Sequence, residues 1–253
     1  MTPENFLIAF VLRRKYRIDM PVSRQARKDR RATGSGPRAR MKRTLLDTAM
    51  GLMQSGRIPS VSDVAEAASV SRATAYRYFP TQAAMIQDAV DEALGPILAW
   101  TSDSDDPEER ISELLAFAYP RIDAYEATHR ATLLLSLYQW AQRTAGTLGE
   151  EAEIVRGHRR KLLAEAVAPL RQRLGRPAFD RLTQSLSLIF GTEAFVVLKD
   201  IWSLDGEDAR RVAIWAAHAL VRAAVAEATA AGRIRTVRGG SRKTVAGSNR
   251  KLN

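Results

Sequence analysis

The sequence predicts an all-α protein, and three observations carry that prediction. Apolar residues recur three and four positions apart over long stretches, β-branched residues seldom alternate with polar ones, and hydroxyl or acidic residues stand repeatedly just ahead of the periodic segments. The first feature is the period of a helix with one buried face, the second removes the main strand signal, and the third supplies acceptors for the free amides of a first helical turn.

The elements follow in order. Gly34, Ser35, Gly36 and Pro37 separate a basic N-terminal arm from the body, and a first helix places Leu45, Ala49, Leu52 and Met53 on one face before ending near Gly56. Three segments then open on Ser60 or Ser62, on Ser71 and on Thr81, a spacing that implies short helices joined by tight turns. The third of these runs on toward Trp100. In the acidic run Ser102 to Glu109, Asp106 suits a cap, Pro107 the first helical position, and Glu108 and Glu109 the positive end of the helix dipole. Further helices are expected over 107–125, 128–144, 150–174, 178–203 and 206–231, punctuated by Gly146, Gly149 and Gly175. The resulting division is a basic, disordered arm over 1–40, a first domain over 41–99, a second over 100–232, and a basic, disordered tail over 233–253.

Charge is spread unevenly across the 253 residues. Residues 1–40 hold 11 Lys and Arg against 3 acids, and residues 233–253 hold 7 against none, so tails of +8 and +7 flank a body of −4. Basic arms of this kind gain affinity for a polyanion by displacing its counterions. The chain has no cysteine, which excludes disulfides and thiolate metal sites and fits a reducing cytoplasm. The apolar stretch Phe6 to Leu12 is too short to span a bilayer, and its charges follow it rather than precede it, so neither export nor a membrane partner is expected.

The segment that carries chemistry runs from Ser60 to Phe79. Val64, Ala65 and Ala68 give its first helix a stripe of small residues that allows close approach of the second, and Val70 plugs the turn between them. On the second helix a step of about 100° per residue turns Ala75 and Phe79 to the core. Ala73, Thr74 and Arg77 take the opposite arc, flanked by Arg72, Tyr76 and Tyr78: donors for phosphates and base edges, with a small residue where a helix must sit close to a groove floor.

At Asp63-Val-Ala, then Val70-Ser-Arg-Ala-Thr-Ala-Tyr-Arg-Tyr-Phe79, and on through Pro-Thr-Gln-Ala-Ala-Met85, the sequence resembles the DNA-binding domain of the TetR/AcrR family of regulators. The likeness is specific over about 41–95 and architectural beyond it. It implies a three-helix helix-turn-helix domain reading double-stranded DNA, followed by a helical bundle for ligand binding and dimerisation. Arg72, Ala73 and Tyr76 are then expected near bases, and Ser60, Ser62, Thr74, Tyr78 and Thr81 near phosphates. Arg77 serves either, and Ser71 opens the reading helix. Two positions depart from the family pattern. Ser69 stands where the turn usually has glycine, which predicts a strained or reshaped turn, and Gln82 stands where a lysine often opens the fourth helix.

Later segments point to pairing of two subunits. Leu182, Leu186, Ile189, Phe190, Val197, Leu198 and Ile201 form one stripe and Leu188, Phe195 and Trp202 a second, while Val212, Trp215, Ala216, Ala219 and Ala223 share a face of the last helix. A homodimer on a near-palindromic operator follows, with a repressor released by a small-molecule effector as the expected activity. Trp100, Phe117, Tyr119, Tyr138 and Trp140 are aromatics able to line an effector cavity, as are His129 and His158, but no effector-binding residue is assigned. No catalytic residue, metal ligand or cofactor is expected, since three histidines without paired metal spacing and without a phosphate-binding glycine loop give an enzyme little to work with. The alternatives are a non-specific nucleic-acid-binding protein acting through the tails, and a helical enzyme resting on scattered carboxylates.

Overall fold

A computed structural model describes residues 36–149, 153–154 and 157–246, with side chains up to residue 230. The described residues contain ten α-helical segments and no strand: α1 (Pro37–Gln54), α2 (Val61–Ala67), α3 (Arg72–Tyr78), α4 (Gln82–Leu94), α5 (Pro107–Ala124), α6 (Glu126–Thr144), α7 (His158–Ala166), α8 (Arg171–Leu186), α9 (Thr192–Phe195) and α10 (Gly206–Ala246). Short 3-10 turns follow α4 and α7, and one π-helical stretch, Val196–Ile201, follows α9.

The chain divides into two compact units. One takes residues up to 99 together with 120–156, and the other takes 100–119 together with 157–253. Residues 120–156 thus group with the N-terminal residues.

In the first unit, Leu45, Leu46, Ala49, Met50 and Met53 of α1 pack with Val61, Val64 and Ala65 of α2, Ala75 and Phe79, Met85, Ile86, Ala89 and Ala93 of α4, and Ala131 and Leu135 of α6. Burying each large apolar side chain contributes about 1.5–3 kcal/mol, so this core holds the short helices α2 and α3, which are too brief to persist alone. The C-terminus of α4 is closed by Arg121, whose Nε donates to the Ala93 carbonyl at 2.7 Å and whose Nη2 donates to the Glu92 carbonyl at 2.9 Å.

In the second unit, Asp106 caps α5 by accepting from the Glu108 amide at 2.9 Å. Buried Arg110 donates to the carbonyls of Ser102, Ser104, Glu165 and Ala166, joining the start of α5 to the end of α7. Those carbonyls lie in irregular backbone or in the last turn of α7, where regular helical partners are missing.

Several helix limits differ from the periodicity. The helix expected from 150 begins at His158 in the structure, residues 150–152, 155 and 156 lying outside the described ones. The helix expected over 178–203 is interrupted after Leu186, and Gly191, at φ +106°, opens α9. The break persists because side chains take the freed carbonyls: the Tyr119 hydroxyl donates to Ile189 at 2.6 Å and Arg159 donates to Ser187 at 3.2 Å. Gly175, at φ +69° and ψ 165°, interrupts α8 near its start. At the other two limits, α1 starts at Pro37, inside the segment assigned to the arm. Helix α10 continues to Ala246, where a disordered tail was expected after 232. Residues 206–230 are also long and apolar enough, by length and composition, to cross a membrane.

Candidate nucleic-acid interface

Local hydrogen bonds fix the two short helices. Ser60 and Asp63 form a reciprocal cap, the Asp63 amide donating to Ser60 Oγ at 3.1 Å and the Ser60 amide to Asp63 Oδ2 at 2.8 Å. That backbone hydrogen bond is the main reason the Asp63 carboxyl sits below the usual carboxylate range. Helix α2 then ends in a Schellman turn: the Val70 amide donates to Ala65 at 2.9 Å and the Ser69 amide to Glu66 at 3.0 Å. The motif demands a left-handed residue after the cap, and Ser69 adopts φ +56° there. The turn keeps its ordinary shape, and the departure from glycine is carried as backbone strain.

Ser71 caps α3, accepting from the Thr74 amide at 3.1 Å, while its hydroxyl lies 2.8 Å from Thr74 Oγ1. Ala75 and Phe79 are buried, as the helical step requires. Arg72, Ala73, Tyr76 and Arg77 are exposed on the other side, and Thr74 and Tyr78 are half-buried, Tyr78 leaning on the core. Tyr76 Oη lies 3.4 Å from Ser62 Oγ, so the aromatic is steadied from α2 rather than left to swing. Thr81 caps α4 by accepting from Ala84 at 3.1 Å.

The ten sequence-predicted residues therefore do three jobs. Ser60, Ser71 and Thr81 hold helix starts with their oxygens. Arg72, Ala73, Tyr76 and Arg77 form an outward surface, and neither Arg72 nor Arg77 has an ion pair or hydrogen bond among the described residues. Ser62, Thr74 and Tyr78 sit at its margin. Their common geometry is a short helix whose inner face is locked and whose outer face offers unpaired donors, which suits a polyanion read through its grooves.

Two placements were not legible in the sequence. Gln82 donates to the Pro59 carbonyl at 3.0 Å, tying the start of α4 to the segment ahead of α2, a structural use that explains a neutral amide there. Arg38, at the start of α1, shares a cleft with Thr74, Arg77 and Tyr78. A basic residue in an arm carries no signal of where the fold will bring it.

The aromatics offered for an effector cavity differ in burial. Tyr119 is buried against Phe195, ring centres 4.9 Å apart, whereas Phe117, Tyr138 and Trp140 are exposed and Trp100 is half-buried beside Arg110. Burial raises the Tyr119 hydroxyl well above its ordinary pKa, in keeping with a neutral donor. His129 is buried, and its Nε2 has no hydrogen-bond partner among the described residues.

Among curated proteins none matches the chain. Residues 45–89, spanning most of α1 through most of α4, match the family model described as bacterial regulatory proteins, tetR family. That match falls on a helix-turn-helix whose outer face carries exposed guanidinium and hydroxyl groups, so residues 45–89 form a DNA-binding domain of the kind found in tetR-family regulatory proteins.

Proposed function

We propose that the protein is a sequence-specific repressor that binds a near-palindromic operator as a homodimer in the cytoplasm and leaves it when a small-molecule effector binds. The observation that carries the reading is the outer face of α3, where Arg72, Tyr76 and Arg77 are exposed on a helix held by Ala75, Phe79 and the caps at Ser60 and Ser71. Rigid presentation matters because base discrimination depends on bidentate geometry, not on charge alone. The basic tails add affinity without adding preference.

Pairing is supported by an apolar face that one chain leaves uncovered in the second unit. Ala209, Ala213, Ala217, Val221 and Ala224 bury one side of α10, and the other side exposes Val212, Trp215, Ala219 and Ala223. Leu188, Val197, Ile201 and Trp202 are exposed on the preceding segments, with Trp202 69% and Trp215 74% accessible. Such large apolar groups mark an interface. A second copy suits this face better than a bilayer does, since Arg211, Arg222 and Glu227 are exposed charges on the same helix. Phe195, expected at the interface, is instead buried within the unit.

The test is the affinity of Arg72→Ala and Tyr76→Ala variants for a duplex enriched from a random-sequence pool by the parent protein, at matched salt. Each is expected to cost about 1–3 kcal/mol on that duplex and far less on a scrambled one. Unchanged affinity for the enriched duplex in both variants would remove α3 from the reading surface.

A further inference from the structure

We propose that the cleft between the first turn of α1 and the outer face of α3 seats one backbone phosphate of the bound duplex, with Arg38 as its principal cation. This rests on the reading of α3 as a DNA-contacting helix and extends the contact surface to an element outside the helix-turn-helix.

The cleft is lined by Pro37, Arg38, Met41, Thr74, Arg77 and Tyr78. Among the described residues it holds two guanidinium side chains and no carboxylate. Elsewhere in the same unit several basic side chains have acidic partners: Lys42 meets Asp88 at 2.8 Å, Arg130 meets Glu126 at 2.7 Å, and Arg143 pairs with Glu153. Arg38 and Arg77 have none among the described residues, and the first turn of α1 contains no acid that would answer them.

Two like charges lining one cleft repel each other until an anion enters, and the hydroxyls of Thr74 and Tyr78 supply neutral donors beside them. Met41 closes the cleft with an apolar wall and adds no competing acceptor. The occupant is a duplex phosphate rather than a free one because three of the lining residues belong to α3 itself. A helix lying in the major groove brings its flanks to the phosphates that border the groove.

The experiment uses the full chain, its Arg38→Gln and Arg38→Lys variants, and the enriched duplex described above. Affinity is measured across a salt series, and again with single phosphates replaced by neutral methylphosphonates. Arg38→Gln should flatten the slope of log affinity against log salt by about 0.9 for each phosphate lost, and Arg38→Lys should keep the parent slope. One methylphosphonate position per half-site should weaken the parent and leave Arg38→Gln unaffected. Because Arg38 is exposed, the melting temperature of the free protein should not move. Superimposable slopes for parent and Arg38→Gln would overturn the proposal. So would inorganic phosphate raising the melting temperature of the parent but not of Arg38→Gln while the slopes stay equal, since the cleft would then serve a free anion. A parent that binds no duplex would instead defeat the reading of α3.

Discussion

The guanidinium of Arg121 lies directly over Gly95: a β-carbon at that glycine would stand 2.5 Å from Arg121 Nη2. Gly95 also has φ +41°, so the end of α4 depends on a residue without a side chain both for its backbone angle and for the space the clamp occupies. Gly95→Ala should cost roughly 1–3 kcal/mol by straining the backbone and displacing Arg121 from the Ala93 and Glu92 carbonyls. Chemical denaturation of Gly95→Ala, Arg121→Ala and the double variant checks it. The two effects should be less than additive, and strict additivity would show that the contact carries no energy.

At Ser69 the sign reverses. A left-handed residue after the α2 cap is obligatory in the Schellman turn, and serine pays for a β-carbon there. Ser69→Gly should therefore stabilise the protein by about 0.5–1 kcal/mol, the relief of strain exceeding the added freedom of the unfolded chain. Equal or lower midpoints in denaturant would contradict this account of the turn.

His129 gives the first unit a sensitivity to acid. Burial, reinforced by the Arg121 charge and opposed by Glu126, lowers its pKa to about 4 from an ordinary value of 6.5. The folded state thus holds the neutral ring while the unfolded chain takes up a proton below about pH 6.5, so the contribution to stability is complete above that pH and is lost as pH falls toward 4. The loss is on the order of 3 kcal/mol across that window. Unfolding free energies of the parent and His129→Gln at pH 7.5, 5.5 and 4.5 should converge as the pH falls. Curves that stay parallel would remove His129 as the cause.

Sequence patterns reached most of the first unit and less of the second, for a physical reason. Short-range rules govern the caps at Ser60, Ser71, Thr81 and Asp106 and the burial of Ala75 and Phe79, so all of these were legible. The interruption after Leu186 was not, because it is held by Tyr119 and Arg159, far away in sequence, and periodicity alone continues the helix through it. The same limit applies to the interface: Arg72, Tyr76 and Arg77 follow from a helical wheel, whereas Arg38 joins them only once α1 is packed beside α3. Apolar stripes show which faces are buried but not by what, which is why Phe195 and Trp202, grouped by spacing, part company in the fold.

That parting predicts different outcomes for matched substitutions. Trp202→Asp and Trp215→Asp alter exposed side chains and should give folded monomers by light scattering, with helical content retained. Phe195→Asp places a carboxylate against Tyr119 in the core and should unfold the second unit instead. Monomeric parent protein at micromolar concentration would end the dimer proposal.

The most direct test of the whole account is the ratio of affinities of the intact protein for its enriched duplex and for a scrambled duplex of equal length and composition, measured at one physiological salt concentration. A regulator reading base edges through Arg72, Tyr76 and Arg77 should prefer the enriched duplex by about 10³ or more. Equal affinities for the two duplexes would assign binding to the basic tails and contradict sequence-specific recognition by α3.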